Sequence, residues 1–469
     1  MSYSEKGKKS SSTIGNITSS SSRVVQIEGQ FELPFYQAKS AGVISTHKRL
    51  GTFQDNLRAP IHTWFKYPAG FSYKLVEALI EEHKLGTDSW LLDPFVGCGT
   101  TSVVAKQYNV NSIGIEAHPF VHWVAQVKCF WEHDMEQLRR DINRLLTHLH
   151  CIPPFPGPEA LVDFPELVHK CYSDKNLWIL KFIRDSIEVF AGTNEERDFF
   201  RLALTATLRT ASKAGTGWPY IAPSKYHEKN ERPALEAFSQ TVQEMYQDLA
   251  TVLANHQPAP IQTQLLLMDT RQPYPLEPES VDLAVTSPPY LNNYDYADRT
   301  RLEMYFFGWV KSWQDITTQV RDKLITAATT QIRRTDFEDN LLNQDLRDLE
   351  PKLYKELTDK IYQLSKERLH KGGKKSYDLM VVGYFNGLLQ VLKQVYRVLK
   401  PYASFVMVLG DSAPYGVYIP TEEYLGRLAM SLGFRNYHVQ NLRERGGKWK
   451  HNTQRHKVML KEGLLLLQK

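Results

Sequence analysis

A Ser-Pro-Pro-Tyr sequence, residues 287–290, follows the apolar run of residues 281–285. Each proline lacks a backbone N–H and has a fixed φ, so a strand cannot continue its hydrogen-bond ladder through this sequence. The carbonyl groups of Ser287 and Pro288 are therefore left as outward-facing acceptors, and Tyr290 adds a flat aromatic face. Acceptors beside a stacking ring suit a flipped-out nucleobase that carries an exocyclic amine. The same residues also fit an ordinary strand followed by a Pro-Pro turn.

A glycine-rich turn follows a second apolar strand sequence. Residues 91–101, Leu-Leu-Asp-Pro-Phe-Val-Gly-Cys-Gly-Thr-Thr, precede a helix-compatible segment and a strand-like segment that ends at Glu116. Gly97 and Gly99 let the backbone approach a ligand closely, and Glu116 is placed to accept hydrogen bonds from ribose hydroxyls. The third glycine of the dinucleotide fingerprint is missing, which disfavours a nicotinamide enzyme. A parallel-sheet turn without a ligand would show the same glycine pair.

Together, the two motifs resemble those of the DNA amino-methyltransferases, which transfer a methyl group from S-adenosylmethionine to the exocyclic nitrogen of cytosine or adenine. The resemblance covers residues 60–130 and 262–469, with the Ser-Pro-Pro-Tyr turn holding the base and no metal taking part. It implies four catalytic residues, Ser287, Pro288, Pro289 and Tyr290. It implies S-adenosyl-L-methionine as cofactor, with contacts from Trp64, Tyr67, Asp93, Pro94, Phe95, Gly97, Gly99, Thr100, Glu116, Asp269 and Thr286.

The fold class predicted with this resemblance is α/β, a Rossmann-like class I methyltransferase. Its sheet is expected to be mostly parallel and seven-stranded, with an antiparallel last strand near residues 463–468 and with helical insertions. The first five strands are predicted at residues 90–95, 112–116, 264–269, 282–287 and 404–411. In this family the third of these strands, through the acidic residue Asp269, contacts the adenine of the cofactor.

Length and composition divide the chain around one catalytic domain. The chain has 469 residues, of which 42% are hydrophobic, and no apolar run approaches the roughly 18 residues of a membrane span, so a soluble, cytoplasmic protein is expected. The four cysteines show no C-x-x-C pairing and are interpreted as reduced and structural, with no zinc site. The predicted division is a flexible Ser/Lys-rich arm (1–25), the cofactor half of the methyltransferase domain (26–129), a helical insertion for target recognition or capping (130–260), the catalytic-motif part (261–300), a charged helical insertion (301–375) and a C-terminal part with a basic hairpin (376–469).

Basic residues cluster near the end of the chain, although the formal net charge is only +5. Between Arg435 and Lys461 there are eight basic residues and a single acid, Glu444. A hairpin with an aromatic residue near its tip suits phosphate contacts and base stacking. An edge hairpin whose lysines discourage aggregation would have the same composition. The nucleic-acid contacts predicted here are Arg443, Arg445, Lys448, Trp449, Lys450 and Arg455. Two further segments, 333–334 and 371–375, are candidate phosphate contacts in the charged insertion.

The expected function is methylation of the N4 amine of cytosine in duplex DNA by base flipping. Duplex DNA is the expected partner, with a restriction endonuclease or a defence system as a second one. The N6 amine of adenine and an RNA guanine amine stay open as alternative substrates, because Ser287 is only a mild argument for cytosine. The order of the motifs weakens that argument further, since the cofactor motif here precedes the catalytic motif, whereas many enzymes with a Ser-Pro-Pro-Tyr motif have the opposite order. Protein glutamine methylation is disfavoured because Asn is absent from the catalytic motif. A DNA-binding subunit without turnover is disfavoured by the presence of both motifs in one chain.

Overall fold

A seven-stranded sheet runs through the computed structural model, which describes residues 49–67, 70–214, 216–217, 220–221, 223, 230–292, 294–333, 341–445 and 458–469. The strands, in chain order, are β1 (Trp90–Asp93), β2 (Asn111–Glu116), β3 (Thr216–Gly217), β4 (Tyr220–Ile221), β5 (Thr263–Leu267), β6 (Val281–Thr286), β7 (Leu399–Gly410), β8 (Asn436–Arg445) and β9 (Leu460–Gln468). β3 and β4 form a separate two-stranded hairpin that the sequence analysis did not predict.

The order of strands in the large sheet is β5-β2-β1-β6-β7-β9-β8. Neighbouring strands are parallel except for β9, which is antiparallel to both β7 and β8. The predicted fold class, a mostly parallel Rossmann-like sheet of seven strands with an antiparallel last strand, is confirmed. Because β8 has the same direction as β7, the C-terminal ends of β1, β2, β6, β7 and β8 share one edge of the sheet.

Some strand boundaries differ from the prediction. β1 ends at Asp93, before the predicted end at residue 95, because the Asp93 carboxylate accepts the N–H of Phe95 at 2.9 Å and turns the chain. β5 ends at Leu267, two residues early, where Asp269 makes the same kind of turn with the N–H of Arg271. β7 begins at Leu399, five residues before the predicted start, and pairs there with Val281 at the start of β6.

Fifteen α-helices surround the sheet in the described part of the chain. They are α1 (Tyr73–Glu82), α2 (Thr100–Gln107), α3 (Pro119–Cys129), α4 (Met135–Leu149), α5 (Glu166–Cys171), α6 (Asp174–Phe190), α7 (Asn194–Ala211), α8 (Ala234–Asn255), α9 (Tyr296–Arg299), α10 (Arg301–Phe306), α11 (Trp313–Gln319), α12 (Gln344–Leu349), α13 (Pro351–His370), α14 (Tyr377–Val398) and α15 (Thr421–Leu432). Among the described residues, no helix has the length and apolarity needed to cross a membrane.

Side-chain caps start several of these helices. Asp134 accepts the N–H groups of Glu136 and Gln137 at the start of α4. Ser173 and Thr193 cap α6 and α7 in the same way, which satisfies amide groups that have no partner within a helix. These helices belong to the region 130–260, where the sequence pattern indicates helices.

The core consists of two clusters of buried residues. One cluster joins α3 to the helices of region 130–260, and the other joins α13, α14 and α15 to the central strands. β7 illustrates why the central strands consist mainly of apolar residues, because every residue from Ala403 to Gly410 is buried. A parallel strand covered by helices on both faces has no solvent face on which polar residues would be favourable.

Candidate functional site

A pocket lies at the C-terminal ends of β1, β2 and β6. In open α/β sheets, sites for small molecules lie at this edge. The residues lining the pocket come from seven stretches of the chain: Tyr67, Gly70 and Phe71; Pro94–Cys98 and Thr100; Ile115–His118; Thr270; Ser287 and Pro289; Tyr296; and Lys323–Ile325. Both sequence motifs therefore contribute to one cavity.

The glycine turn forms one wall of the pocket. Gly97 and Gly99 have φ values of +55° and +89°, in the region that glycine tolerates best. A Cβ on Gly97 would meet no atom closer than 3.9 Å, whereas a Cβ on Gly99 would lie 3.2 Å from both Cα and Cβ of Ala125 in α3. Gly97 thus keeps the backbone open to the pocket. Gly99, at the start of α2, allows the turn to pack against α3.

Glu116, at the end of β2, holds this turn in place. Its Oε2 accepts the N–H of Gly97 at 3.1 Å, and its Oε1 accepts the N–H of His118 at 2.8 Å. Burial raises the pKa of the Glu116 carboxyl to about 7, against the effect of these two hydrogen bonds. Glu116 as a whole keeps some exposure and lines the pocket, so its carboxyl borders the space that a ligand would occupy.

Asp93 joins the two motifs beneath the pocket. Its carboxylate accepts hydrogen bonds from the hydroxyls of Thr101 and Thr286, both at 2.5 Å, in addition to the Phe95 N–H. Burial raises the pKa of Asp93 to about 6. Because Thr286 is the last residue of β6, this carboxylate fixes the position of the glycine turn relative to the Ser-Pro-Pro-Tyr turn. Asp93 and Thr286 are buried and do not line the pocket.

The Ser-Pro-Pro-Tyr turn presents alternate residues to the pocket. Ser287 and Pro289 are half-buried and line it, while Pro288 and Tyr290 are buried and do not. The Tyr290 ring is 8% exposed, and the Arg445 guanidinium lies 5.1 Å from its centroid. Gly410 permits this packing, since a Cβ there would lie 2.2 Å from Arg445 Nη1 and 3.1 Å from Tyr290 Cδ2.

Besides Asp93 and Thr286, two more of the residues predicted to bind a cofactor have other partners and do not line the pocket. The Trp64 Nε1–H donates to Asp248 of α8 at 3.1 Å. Asp269 forms a salt bridge with Arg271, and its neighbour Thr270 lines the pocket instead. Tyr67, Pro94, Phe95, Gly97, Thr100 and Glu116 do line it, and Gly99 lies behind the turn.

The predicted nucleic-acid contacts fall into two groups. Arg443 makes a two-bonded ion pair with the buried Glu462 of β9, at 2.8 and 3.0 Å. Arg445 contacts Tyr290 and donates to the Asp411 carbonyl at 3.3 Å. β8 and β9 form the two predicted arms of the hairpin. Lys448, Trp449, Lys450 and Arg455 lie outside the described residues.

The pocket wall at Lys323–Ile325 was missed by the sequence analysis, which treated region 301–375 as a charged helical insertion. This segment is fixed by a buried ion pair in which Arg321 Nε donates to Asp295 at 2.8 Å. Asp295 also caps α9, shortly after the Ser-Pro-Pro-Tyr turn. No periodic pattern marks such a segment, and its anchor is a residue 26 positions away.

The chain is similar in sequence to several known proteins. A family model described as "DNA methylase" matches residues 4–126. The Type II methyltransferase M.BsoBI of Geobacillus stearothermophilus is 26% identical over 430 residues, which covers 86% of this chain and 84% of that protein. The Type II methyltransferase M.AvaI of Nostoc sp. is 24% identical over 427 residues, covering 83% and 82%. The Type II methyltransferase M.MvaI of Kocuria varians is 21% identical over 419 residues, covering 86% and 87%.

Proposed function

This chain belongs to the S-adenosylmethionine-dependent amino-methyltransferases of DNA, and from that premise we propose that its target is the N4 amine of cytosine in duplex DNA. The observation that supports the proposal most directly is that Ser287 and Pro289 open onto the same pocket as Gly97 and Glu116. A base flipped onto the Ser-Pro-Pro-Tyr turn would therefore meet a ligand held by the glycine turn. Ser287 in place of a carboxylate is the feature that favours cytosine over adenine.

The pocket fits S-adenosylmethionine by the chemistry of its walls. Glu116 offers a carboxylate to the ribose hydroxyls, Gly97 leaves the backbone open, and the apolar surfaces of Phe95, Ile115 and Ile325 suit an adenine ring. Tyr67 and Phe71 close the pocket on another side. When bound, S-adenosylmethionine supplies an activated methyl group on a sulfonium.

Ser287 and Pro288 act on the amine of the base. An aromatic amine is a poor nucleophile because its lone pair is delocalised into the ring. The Ser287 Oγ and the Pro288 carbonyl would each accept a hydrogen bond from one N–H of this amine. These hydrogen bonds would favour an sp3-like nitrogen whose lone pair points towards the methyl group. As the new N–C bond forms, the methyl–sulfur bond would break with its electron pair staying on sulfur, and one of the two N–H hydrogens would leave the nitrogen as a proton, passing to solvent. The turn thus contributes positioning and electrostatic stabilisation.

Duplex DNA is proposed to contact the end of β8 and the hairpin that follows it. Arg445, the last residue of β8, lies directly against Tyr290. A hairpin that contacts the DNA backbone from there would begin beside the proposed base site. Arg443, which is paired with Glu462, would act by holding β8 on β9. We also propose a cognate restriction endonuclease as the functional partner, because the similar proteins are Type II methyltransferases.

Cofactor affinity is expected to fall as the pH is lowered through about 7. The Glu116 carboxyl has a pKa raised to about 7, and protonation removes one of the acceptors offered to the ribose. Below that pH, the dissociation constant for S-adenosylmethionine should rise by up to about tenfold per pH unit. Titration calorimetry between pH 5.5 and 8.5 measures this dependence.

The control is Glu116→Gln, which should bind more weakly at pH 8 and lose the step near pH 7. His118 has its pKa lowered to about 3 by burial and stays neutral in this range, so it adds no step. Asp93, with a pKa raised to about 6, would leave a separate step at lower pH in both proteins. A parent protein whose affinity is constant from pH 6 to 8 would contradict the role of Glu116.

The base assignment is tested by expression in a host that lacks DNA methylation. Mass spectrometry of digested genomic DNA should detect N4-methylcytosine, and sequencing that reports modified bases should give its sequence context. The same host carrying the Gly99→Val variant provides the background. If N6-methyladenine were the only product, the cytosine assignment would be wrong and the methyltransferase activity would be kept. If no methylated base appeared in DNA or RNA, the proposed methyltransferase activity itself would be wrong.

A further inference from the structure

A basic turn connects α13 to α14, and nothing in the methyl-transfer site uses it. The lysine turn, defined as Lys371–Lys375, contains three exposed lysines and two glycines with φ of +82° and +74°. Arg368 Nη1 donates to the carbonyl of Gly373 at 2.7 Å, and its guanidinium faces Asp378 at 3.9 Å. These contacts hold the backbone of the turn in one shape, so its three lysines project from one small part of the surface.

The lysine turn lies at the edge of the sheet that carries the catalytic turn. α14 ends at Val398 and β7 begins at Leu399, so the C-terminus of the helix meets the N-terminal end of the strand. The N-terminus of α14, with the lysine turn before it, must then lie towards the opposite edge, where β6 leads into Ser287. A contact supports this placement, because the Tyr377 ring packs edge-on against Tyr415 at 4.7 Å.

Tyr415 belongs to the loop that leaves the C-terminal end of β7. The Tyr418 hydroxyl of the same loop donates to Asp411 at 2.8 Å, and Lys360 of α13 donates to the Tyr418 carbonyl at 2.7 Å. Asp411 follows Gly410, which packs directly on Tyr290. The lysine turn is thereby connected to Tyr290, the residue proposed to stack on the base, through a short series of packed and hydrogen-bonded contacts.

The charges of the lysine turn are available for an external anion. Within the described residues, none of Lys371, Lys374 and Lys375 has a carboxylate within ion-pair distance, and Lys375 Nζ donates to the Tyr377 hydroxyl at 3.5 Å. Residues 366–375 contain five Lys or Arg residues and a single acid, Glu367. Lysine ammonium groups on a fixed turn are point charges that suit phosphate oxygens without reading bases.

We propose that the lysine turn binds backbone phosphates of the duplex beside the flipped base, as a second basic contact at the edge that also carries Arg445. This inference rests on the proposed function. The DNA backbone is favoured as partner over an acidic protein surface because the turn adjoins the site where the duplex must deliver its base. The loss of a phosphate contact weakens binding to all duplex sequences equally.

The test is the triple variant Lys371→Gln, Lys374→Gln, Lys375→Gln. Each lost phosphate contact should reduce the slope of log K against log salt by about 0.9, so the triple variant should lose roughly two to three units of slope on duplex DNA. Binding of S-adenosylmethionine and the melting temperature should stay at the parent values. The single variant Lys374→Gln should lose about one unit.

A matched control removes three exposed lysines elsewhere, Lys84, Lys352 and Lys355. Lys84 precedes β1 at the opposite edge of the sheet, and Lys352 lies about 28 Å from Lys371 along α13, at roughly 1.5 Å per residue. This control should keep the parent slope. If the parent methylates DNA and the triple lysine-turn variant keeps the parent slope, this inference is overturned and the proposed function stands. If the variant loses slope on duplex RNA and keeps the parent slope on duplex DNA, DNA is not the partner of the lysine turn. If the parent neither binds duplex DNA nor transfers a methyl group, the proposed function is overturned as well.

Discussion

Replacing Gly99 with valine is expected to reduce S-adenosylmethionine affinity by roughly a hundredfold, or about 2.7 kcal/mol, the size of one or two buried hydrogen bonds left unmade by a displaced turn. The residue has φ of +89°, which a β-branched side chain disfavours, and any Cβ there would press against Cα and Cβ of Ala125. The turn would have to move away from α3 and carry Gly97 and Thr100 with it. Titration calorimetry at pH 8 measures the loss.

Gly86 offers a matched control for this substitution. A Cβ at Gly86 would meet no atom within 4 Å, and its φ is not in the left-handed region, so Gly86→Val should bind the cofactor like the parent. Thermal unfolding of both variants separates a displaced turn from a lost fold, and Gly99→Ala supplies a smaller side chain if the valine variant does not fold. If both Gly99 variants bound S-adenosylmethionine with the parent affinity, the glycine turn would have no part in cofactor binding.

The sheet could be predicted from the sequence because its strands are apolar runs that end in conspicuous turns. β1 and β6 show this best, since each is buried on both faces and stops at a proline-containing motif. The insertion of β9 between β7 and β8 could be predicted only through the family resemblance. In the sequence, β8 and β9 form a local hairpin, and nothing in their residues requires that β9 also pair with β7.

The site was less predictable where it depends on contacts between distant residues. Thr286 and Asp93 are 193 positions apart, and the sequence suggested cofactor contacts for both, whereas their hydrogen bond to each other ties two turns together. Trp64 is similar, because its indole N–H is satisfied by Asp248 from a helix far along the chain. Short motifs predict which segments approach a ligand, but burial and pairing decide which side chains face it.

The roles of Ser287 and Tyr290 are expected to separate in steady-state kinetics. Ser287→Ala should lower kcat by roughly ten- to a thousandfold while the affinities for S-adenosylmethionine and DNA stay unchanged. The reason is that the Ser287 Oγ is an acceptor that matters mainly while charge develops on the amine. Tyr290→Ala should instead raise the KM for DNA, through the loss of a stacking contact of about 1 to 3 kcal/mol.

Tyr290→Phe is the control that isolates the ring from its hydroxyl. The phenol is buried, burial raises its pKa well above the ordinary value, and it shares a hydrogen bond with the Ser287 side chain. Tyr290→Phe removes that hydrogen bond and keeps the ring on which a base is proposed to stack. The phenylalanine variant should keep the parent KM, with the guanidinium of Arg445 still able to pack on the ring. A fluorescent base at the target position should report less flipping in Tyr290→Ala and parent-like flipping in Ser287→Ala. If Ser287→Ala kept the parent kcat, its hydroxyl would have no part in the chemistry; if Tyr290→Ala kept the parent KM and flipping signal, the base would have to stack elsewhere.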